Sequence, residues 1–223
     1  MDGAKTMAGS YPRPMARRPR AFHEGIYHLG SHGSDVRNLF LTDEDRIDFL
    51  GRLAATCRRF DLPLLSYVLM GNHYHVLVST EDARISDALQ RLHTGYSRSH
   101  NRRHDRNAHL FLAHPFAREV DGSDDLLGTL RYLALNPVEA GFVRHPLDWQ
   151  WSSARAHAGV GPPHVPLDET YTNGAFDDPV EWRPRYAALI EPDAPDRLKL
   201  DWFPSILPAW DVETERVGIA ANG

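Results

Sequence analysis

The sequence predicts an α+β protein of the ferredoxin-like type, in which helices pack on an antiparallel sheet. Short apolar runs with strand-like alternation and longer runs with helical spacing follow one another in the order strand, helix, strand, strand, helix, strand, helix. The two central strand-like runs are separated only by Gly71 and Asn72, which is typical of a hairpin and therefore of antiparallel pairing. This order places the helices on one face of the sheet.

The first half of the chain carries clear element boundaries. Residues 25–32 are a predicted strand, and Thr42 followed by three acids begins a helix, because a hydroxyl cap and acids both favour a helix N-terminus. Apolar residues at helical spacing continue this helix to Cys57, and Pro63 lies beyond its end. The hairpin strands are residues 64–70 and 73–79.

The second half contains a helix over residues 83–100 and a strand over residues 110–120, where Pro115 marks an edge or a bulge. A strongly apolar helix runs from Asp124 to Asn136 and is predicted to end before Pro137. The predicted organisation is a mobile lead-in, a folded domain and an irregular, Pro-rich acidic extension, over residues 1–20, 21–160 and 161–223. The extension is expected either to cover a basic face or to pack through its tryptophans.

The composition is that of an ordinary globular protein. Hydrophobic residues make up 42% of the chain and charged residues 25%, and no apolar run is long enough for a membrane span. The single cysteine, Cys57, excludes an internal disulfide and fits a reducing compartment. We therefore expect a cytoplasmic protein that has no membrane partner.

The net charge of −5 is unevenly distributed. Residues 1–164 hold 20 basic and 18 acidic residues, whereas residues 165–223 hold 5 and 12. Residues 91–106, called here the basic segment, contain five arginines, three histidines and one acid. This segment is either a solvated helix face or a surface that binds phosphates.

Two histidines interrupt the apolar run VLMGNHYHVLV. Successive side chains of a strand point to opposite faces, so His73 and His75 share one face while Tyr74 points to the other. Two imidazoles side by side suit a divalent cation, although a pair on a solvated face has the same spacing.

Tyr132 and Asn136 offer chemistry that complements the histidine pair. They are four residues apart on the predicted helix and therefore share one face. An amide oxygen is a ligand for Mg²⁺ or Mn²⁺, and a phenol is a potential nucleophile. Taken alone, Tyr132 also fits a core position and Asn136 also fits a cap before Pro137.

Several motifs occur together in order: GIYHLGSHG, MGNHYHVLV, LHTGYSRSHNRRH, RYLALNPVEAGFV and the segment that begins at Trp151. From about residue 22 to residue 158 the chain resembles the one-tyrosine HUH transposases, and within them the REP-associated tyrosine transposases. The family's His-hydrophobic-His pair falls on His73 and His75, and its Tyr-x-x-x-Asn pattern falls on Tyr132 and Asn136. The chain departs from the family at His32 and His114, near positions where relatives often have arginine.

The resemblance implies a metal-dependent endonuclease and strand transferase that acts on single-stranded DNA with a hairpin. It implies one divalent cation, Mg²⁺ or Mn²⁺, held by His73, His75 and Asn136, and a 5′-phosphotyrosine intermediate formed on Tyr132. The protein is expected to be a monomer or a homodimer. The residues expected to contact DNA are Arg91, Tyr96, Arg98, Arg102, Arg103 and Arg106.

Three alternatives stay open from the sequence. Tyr96 is followed four residues later by His100, so it repeats the spacing of Tyr132 and Asn136 and is a rival nucleophile. The same fold is also compatible with a hairpin-binding protein that does not cleave. An unrelated hydrolase would use the histidine pair with a metal-bound water.

Overall fold

Four antiparallel strands form the sheet in the computed structural model, which describes residues 22–34, 38–82, 84–176 and 181–193. The strands are β1 (Gly25–His32), β2 (Leu64–Leu69), β3 (His73–Thr80) and β4 (Phe116–Val120). Their order across the sheet is β2-β3-β1-β4, so β1 pairs with both β3 and β4. The predicted antiparallel α+β fold is confirmed. The predicted lead-in, residues 1–20, lies outside the described residues.

Helices connect β1 to β2 and β3 to β4, and others follow the last strand. They are α1 (Asp43–Phe60), α2 (Ile85–Arg103), α3 (Gly122–Glu139), α4 (Ala154–His157), α5 (Thr170–Ala175) and α6 (Trp182–Leu189). The predicted start of α1 is correct, because Thr42 and Asp45 form a capping box there. No helix in the described ranges has both the length and the apolarity that a membrane span needs.

Both faces of the sheet are covered by helices, whereas the order of elements suggested one covered face. Tyr74, Val76 and Val78 of β3 belong to the core on the side of α1 and α2. Leu77, which points to the other face, packs with Leu130 of α3 and with residues of α6. Because α3 and the helices after it bury the second face, neither hairpin strand has a solvated side.

Two element boundaries differ from the sequence prediction. Strand β4 begins at Phe116 rather than at residue 110, because only an isolated bridge from Phe111 to Gly33 forms before the chain breaks from the sheet ahead of Pro115. Helix α3 continues through Pro137 to Glu139. The proline lies within the last turn, where the amide of Ala140 still donates to the Asn136 carbonyl.

The described part of the acidic extension contains helices α5 and α6 where irregular structure was predicted. Phe176, Trp182 and Tyr186 are buried in the core that includes α3. Arg131 of α3 donates hydrogen bonds to the carbonyls of Leu189 and Glu191, which ties this segment to α3. The domain boundary near residue 160 stays a prediction, and Trp202 and Trp210 lie outside the described residues.

We predict that the extension contributes to the stability of the domain. Trp182 is 4% exposed, so Trp182→Ala should lower the free energy of unfolding by about 3–5 kcal/mol in urea titrations followed by circular dichroism. Tyr171 in the same segment is 47% exposed, and Tyr171→Ala should change the free energy of unfolding by less than about 0.5 kcal/mol. Equal effects of the two substitutions would show that the packing of α6 adds nothing to stability.

Candidate active site

The two histidines of β3 lie on the face of the sheet that α3 covers. Register across the β1–β3 pair places Gly30 opposite His75 and His32 opposite His73. Both histidines of β3 are buried, and the ring of His32 stacks on that of His73 with 4.4 Å between centroids. The predicted common face is therefore present, and it is inside the protein rather than on a solvated surface.

Gly30 makes room for the ring of His75. A Cβ atom at Gly30 would lie 2.8 Å from His75 Nδ1 and 2.8 Å from the carbonyl oxygen of Tyr74, closer than real contacts of this kind. Only a residue without a side chain fits opposite His75. The sequence analysis missed Gly30, and the signal that could have found it is its place between two histidines on the same face of one strand.

Helix α3 brings Tyr132 against the histidine pair. The hydroxyl oxygen of Tyr132 lies 3.3 Å from His75 Nε2, although 57 residues separate them in the chain. Asn136 follows one turn later and is 6% exposed, and its Oδ1 atom has no hydrogen-bond partner among the described residues. The structure therefore brings three predicted site residues, His73, His75 and Tyr132, into one cluster, and Asn136 lies one helical turn from Tyr132.

Contacts with β4 and with the end of α6 hold α3 in this position. Arg118 of β4 donates to both carboxylate oxygens of Asp125, at 2.9 and 2.6 Å, and also to Thr129 Oγ1 at 2.8 Å. Arg131, which precedes Tyr132 in the sequence, donates hydrogen bonds to the backbone carbonyls of Leu189 and Glu191. Both anchors are largely buried, so the position of the phenol is determined by β4 and by α6.

Neighbouring side chains orient the imidazoles. His73 Nδ1 donates to Asn72 Oδ1 at 2.8 Å, which leaves the lone pair of that ring on Nε2. His28 Nε2 lies 3.0 Å from His75 Nδ1. Burial, with a smaller contribution from the charge of Arg118, lowers the pKa of His28 to about 3, so this ring is neutral near neutral pH. The sequence analysis missed His28, although the strand period places it on the face of Gly30 and His32.

The donor atoms of the cluster fit a divalent cation. Two imidazoles and one amide oxygen can together ligate a divalent cation, and the buried Asn136 Oδ1 has no hydrogen-bond partner among the described residues that a cation would have to displace. This orphaned oxygen is the observation that favours a metal over a purely structural role for the cluster, because a buried carbonyl is normally hydrogen-bonded.

Comparison with known proteins identifies the fold. The family model described as IS200-like transposase matches residues 24–133, which include the histidine pair and Tyr132 and end three residues before Asn136. These residues belong to the IS200-like transposase family. Six solved chains match the structure. One, a REP-associated tyrosine transposase bound to a REP hairpin, shares 16% sequence identity and a TM-score of 0.57 over 70% of this chain and 94% of that one. No curated protein matches this chain.

The arginines of the basic segment are on the surface of the transposase domain. They lie along α2 and just after its end, and the exposed ones are Arg91, Arg98, Arg102, Arg103 and Arg106. Arg103 differs, because its guanidinium donates to Asp45 Oδ1 at 2.5 Å and lies 3.4 Å from Asp48 Oδ2. All five predicted arginines are therefore exposed, but the guanidinium of Arg103 is already engaged in joining α2 to α1.

Tyr96 lies in the core, which does not fit the predicted DNA contact. Its side chain has no exposed surface, and its hydroxyl donates to the Leu39 carbonyl at 2.5 Å. Phe49 touches both Tyr96 and Tyr74, so Tyr96 lies on the face of the sheet opposite the histidine pair. Burial raises the pKa of its phenol. This position disfavours Tyr96 as the rival nucleophile, because its hydroxyl is engaged by the Leu39 carbonyl on the face of the sheet opposite the histidine pair of β3.

A second group of potential metal ligands, Asp45, His100 and His104, joins the ends of α1 and α2. The Asp45 carboxylate is already engaged, because it accepts from Arg103, from His104 Nε2 at 2.9 Å, and from two backbone amides that precede α1. We therefore interpret this group as a buried ion-pair network of the transposase domain rather than as its metal centre.

We predict that this network makes the domain sensitive to acid. Burial acts to raise the pKa of Asp45, but hydrogen bonds from His104 and Arg103 outweigh it and hold the pKa below the ordinary value of 3.8. The folded state therefore binds this proton more weakly than the unfolded state, so the stabilisation is complete above pH 3.8 and is lost as the pH falls through the lowered pKa. In urea titrations, Asp45→Asn should lower the free energy of unfolding at neutral pH by about 1–3 kcal/mol.

The same titrations at about pH 3 provide the decisive comparison. Asp45→Asn should lose less stability on acidification than the wild-type protein, because the amide does not titrate. Asp43→Asn, which removes an exposed carboxylate two residues earlier in the chain, is the control and should follow the wild type. A pH profile of Asp45→Asn that parallels the wild-type profile would contradict the assignment.

Proposed function

We propose that this domain cleaves and rejoins single-stranded DNA at hairpin-bearing sites, with Tyr132 as the nucleophile and one divalent cation as cofactor. The proposal is carried by one observation: Tyr132 Oη lies 3.3 Å from Nε2 of a histidine that belongs to a buried pair. A phenol and two imidazoles in contact, with an amide oxygen one helical turn away that has no hydrogen-bond partner among the described residues, form a set that a core position would not require. The match to a transposase family also supports a function in cleaving and rejoining DNA.

His73, His75 and Asn136 would hold the cation, which as a Lewis acid would polarise the phosphate and stabilise charge that develops on it. Tyr132 Oη forms the new bond to phosphorus as the bond from phosphorus to the 3′ bridging oxygen breaks. The phenol loses its proton and the departing oxygen gains one, which leaves a free 3′-OH and a 5′-phosphotyrosine. A later attack by a 3′-OH on that linkage exchanges the same bonds in reverse, so no nucleotide cofactor is required.

The chain's own contacts prepare this step. The ion pair between Arg118 and Asp125 and the contacts of Arg131 hold α3, so Tyr132 approaches the histidine pair in one orientation. Sheet and helices bury the cluster, which keeps bulk water from competing with the phenol for phosphorus. Positioning of this kind supplies much of the rate enhancement that a weak nucleophile needs.

A hairpin in single-stranded DNA is the proposed substrate. The structural neighbour is described with a REP hairpin bound, and its fold is shared over most of its length. The exposed arginines of the basic segment supply positive charge for a phosphate backbone. The acidic residues of the chain are concentrated after residue 164, so the net negative charge does not argue against this partner.

The nucleophile can be tested directly. Tyr132→Phe removes one oxygen and keeps the packing of the ring, so the fold and the binding of a labelled hairpin oligonucleotide should be close to normal. The denaturation-resistant covalent adduct formed with Mn²⁺ should disappear, together with the cleaved strand. In the wild-type protein, excess chelator should also abolish the adduct.

Tyr96→Phe is the matched control, because it removes the hydroxyl of the other buried tyrosine with the same spacing. The adduct should persist in this variant, since the hydroxyl only donates to Leu39. An adduct that survives Tyr132→Phe and vanishes with Tyr96→Phe would move the nucleophile to α2. Cleavage without any adduct would favour a metal-bound water, and hairpin binding without cleavage would favour a binding protein.

The contribution of the basic segment to DNA binding can be tested by neutralising two of its arginines. Arg98→Gln combined with Arg102→Gln should weaken binding to all single strands. The slope of log affinity against log salt should fall by roughly 0.7 for each phosphate contact that is lost. Arg58→Gln combined with Arg59→Gln, an equal change of charge at exposed positions at the end of α1, is the control and should leave the slope unchanged. Equal slopes for both double variants would identify the basic segment as a solvated face.

A further inference from the structure

We propose that His28 is a positioning residue that holds His75 in the ring orientation and tautomer required for binding the cation, an inference that rests on the proposed function. His28 lies on β1, is 4% exposed, and places its Nε2 atom 3.0 Å from His75 Nδ1. It is separated from His75 by 47 residues in the chain and contacts it across the β1–β3 pair. It does not contact the reacting atoms itself.

The two nitrogens of His75 face different neighbours. Nε2 faces Tyr132 Oη at 3.3 Å, and Nδ1 faces His28. An imidazole that binds a cation through one nitrogen carries its proton on the other nitrogen, which normally donates to a fixed acceptor. Because Nε2 is the nitrogen on the side of the nucleophile, Nδ1 must carry the proton, and His28 Nε2 is the atom that accepts it.

Gly30 makes this hydrogen bond possible. Residues 28 and 30 share a face of β1, and a Cβ at Gly30 would collide with His75 Nδ1 at 2.8 Å and approach Cε1 at 3.3 Å. The missing side chain lets the ring of His75 lie against β1, where it reaches His28. One strand therefore supplies both the space for the imidazole and the acceptor that orients it.

A simple packing role predicts something different. The ring of His28 also makes edge contacts with Phe116, at 4.9 Å between centroids, and with Tyr132, at 5.7 Å. If His28 only filled space, any side chain of similar volume would serve. If His28 accepts a hydrogen bond from His75 Nδ1, the position of the acceptor atom at residue 28 decides how tightly the cation binds.

The experiment is a calorimetric titration of the full chain with Mn²⁺ in the absence of DNA. His28→Leu should bind Mn²⁺ about 10–100-fold more weakly than the wild type, the usual cost of losing such a partner of a metal ligand. His28→Gln should recover most of the affinity, because its Oε1 atom is placed near the position of the lost Nε2. His28→Asn, of equal polarity but shorter, should not. Phe116→Leu, which alters the packing around His28 without removing an acceptor, should bind like the wild type.

Thermal unfolding of each variant separates loss of fold from loss of orientation, and the two amide variants decide the question even where His28→Leu does not fold. Equal Mn²⁺ affinity of His28→Gln and His28→Asn, or equal loss with Phe116→Leu, would overturn the inference. His73→Ala gives the affinity expected when a ligand itself is lost. A wild-type protein that binds Mn²⁺ but forms no adduct with hairpin DNA would overturn the proposed cleavage, while the titration would still test His28.

Discussion

The antiparallel register between β1 and β3 is the constraint on which the rest of this protein depends. It places Gly30 opposite His75 and His32 opposite His73. The residue without a side chain therefore lies where the imidazole ring of His75 needs space. A shift of one residue would turn every side chain to the other face of the sheet. The imidazoles would then enter the core beneath α1 and α2, and a Cβ would occupy the space that the ring of His75 needs.

The two faces of the sheet have different roles because different helices cover them. On one side, α1 and α2 pack on Tyr74 and its neighbours, and the Asp45–Arg103–His104 network joins their ends. This layer is a scaffold, and its outer surface carries the exposed arginines. On the other side, α3 covers the histidines and carries Tyr132. Tyr74, between the two histidines, connects the layers through its hydroxyl, which lies 2.7 Å from His93 Nε2 of α2.

Burial of the polar cluster costs free energy that the surrounding core must offset. Desolvation keeps His28 neutral, and the buried Asn136 carbonyl has no hydrogen-bond partner in the described part of the chain, which is unfavourable unless another group completes it. Such local conflicts with stability are expected at functional sites rather than at structural ones. The second core, with Leu130, Trp182 and Tyr186, supplies apolar burial next to the cluster, so the C-terminal segment supports the site without forming part of it.

The sequence alone was sufficient for whatever depends on neighbours along the chain. The cap at Thr42 and the hairpin at Gly71-Asn72 follow from residue types suited to caps and turns. The common face of His73 and His75 and that of Tyr132 and Asn136 follow from periods of two and four residues. The same periods could not separate Tyr132 from Tyr96, which has an equivalent spacing to His100 yet is buried beneath the opposite face. Nor could they reveal His28, which meets His75 across 47 residues, or the helices α5 and α6. Local periodicity determines where a side chain points relative to its own helix or strand, whereas the burial of apolar surface over the whole chain decides which elements face each other.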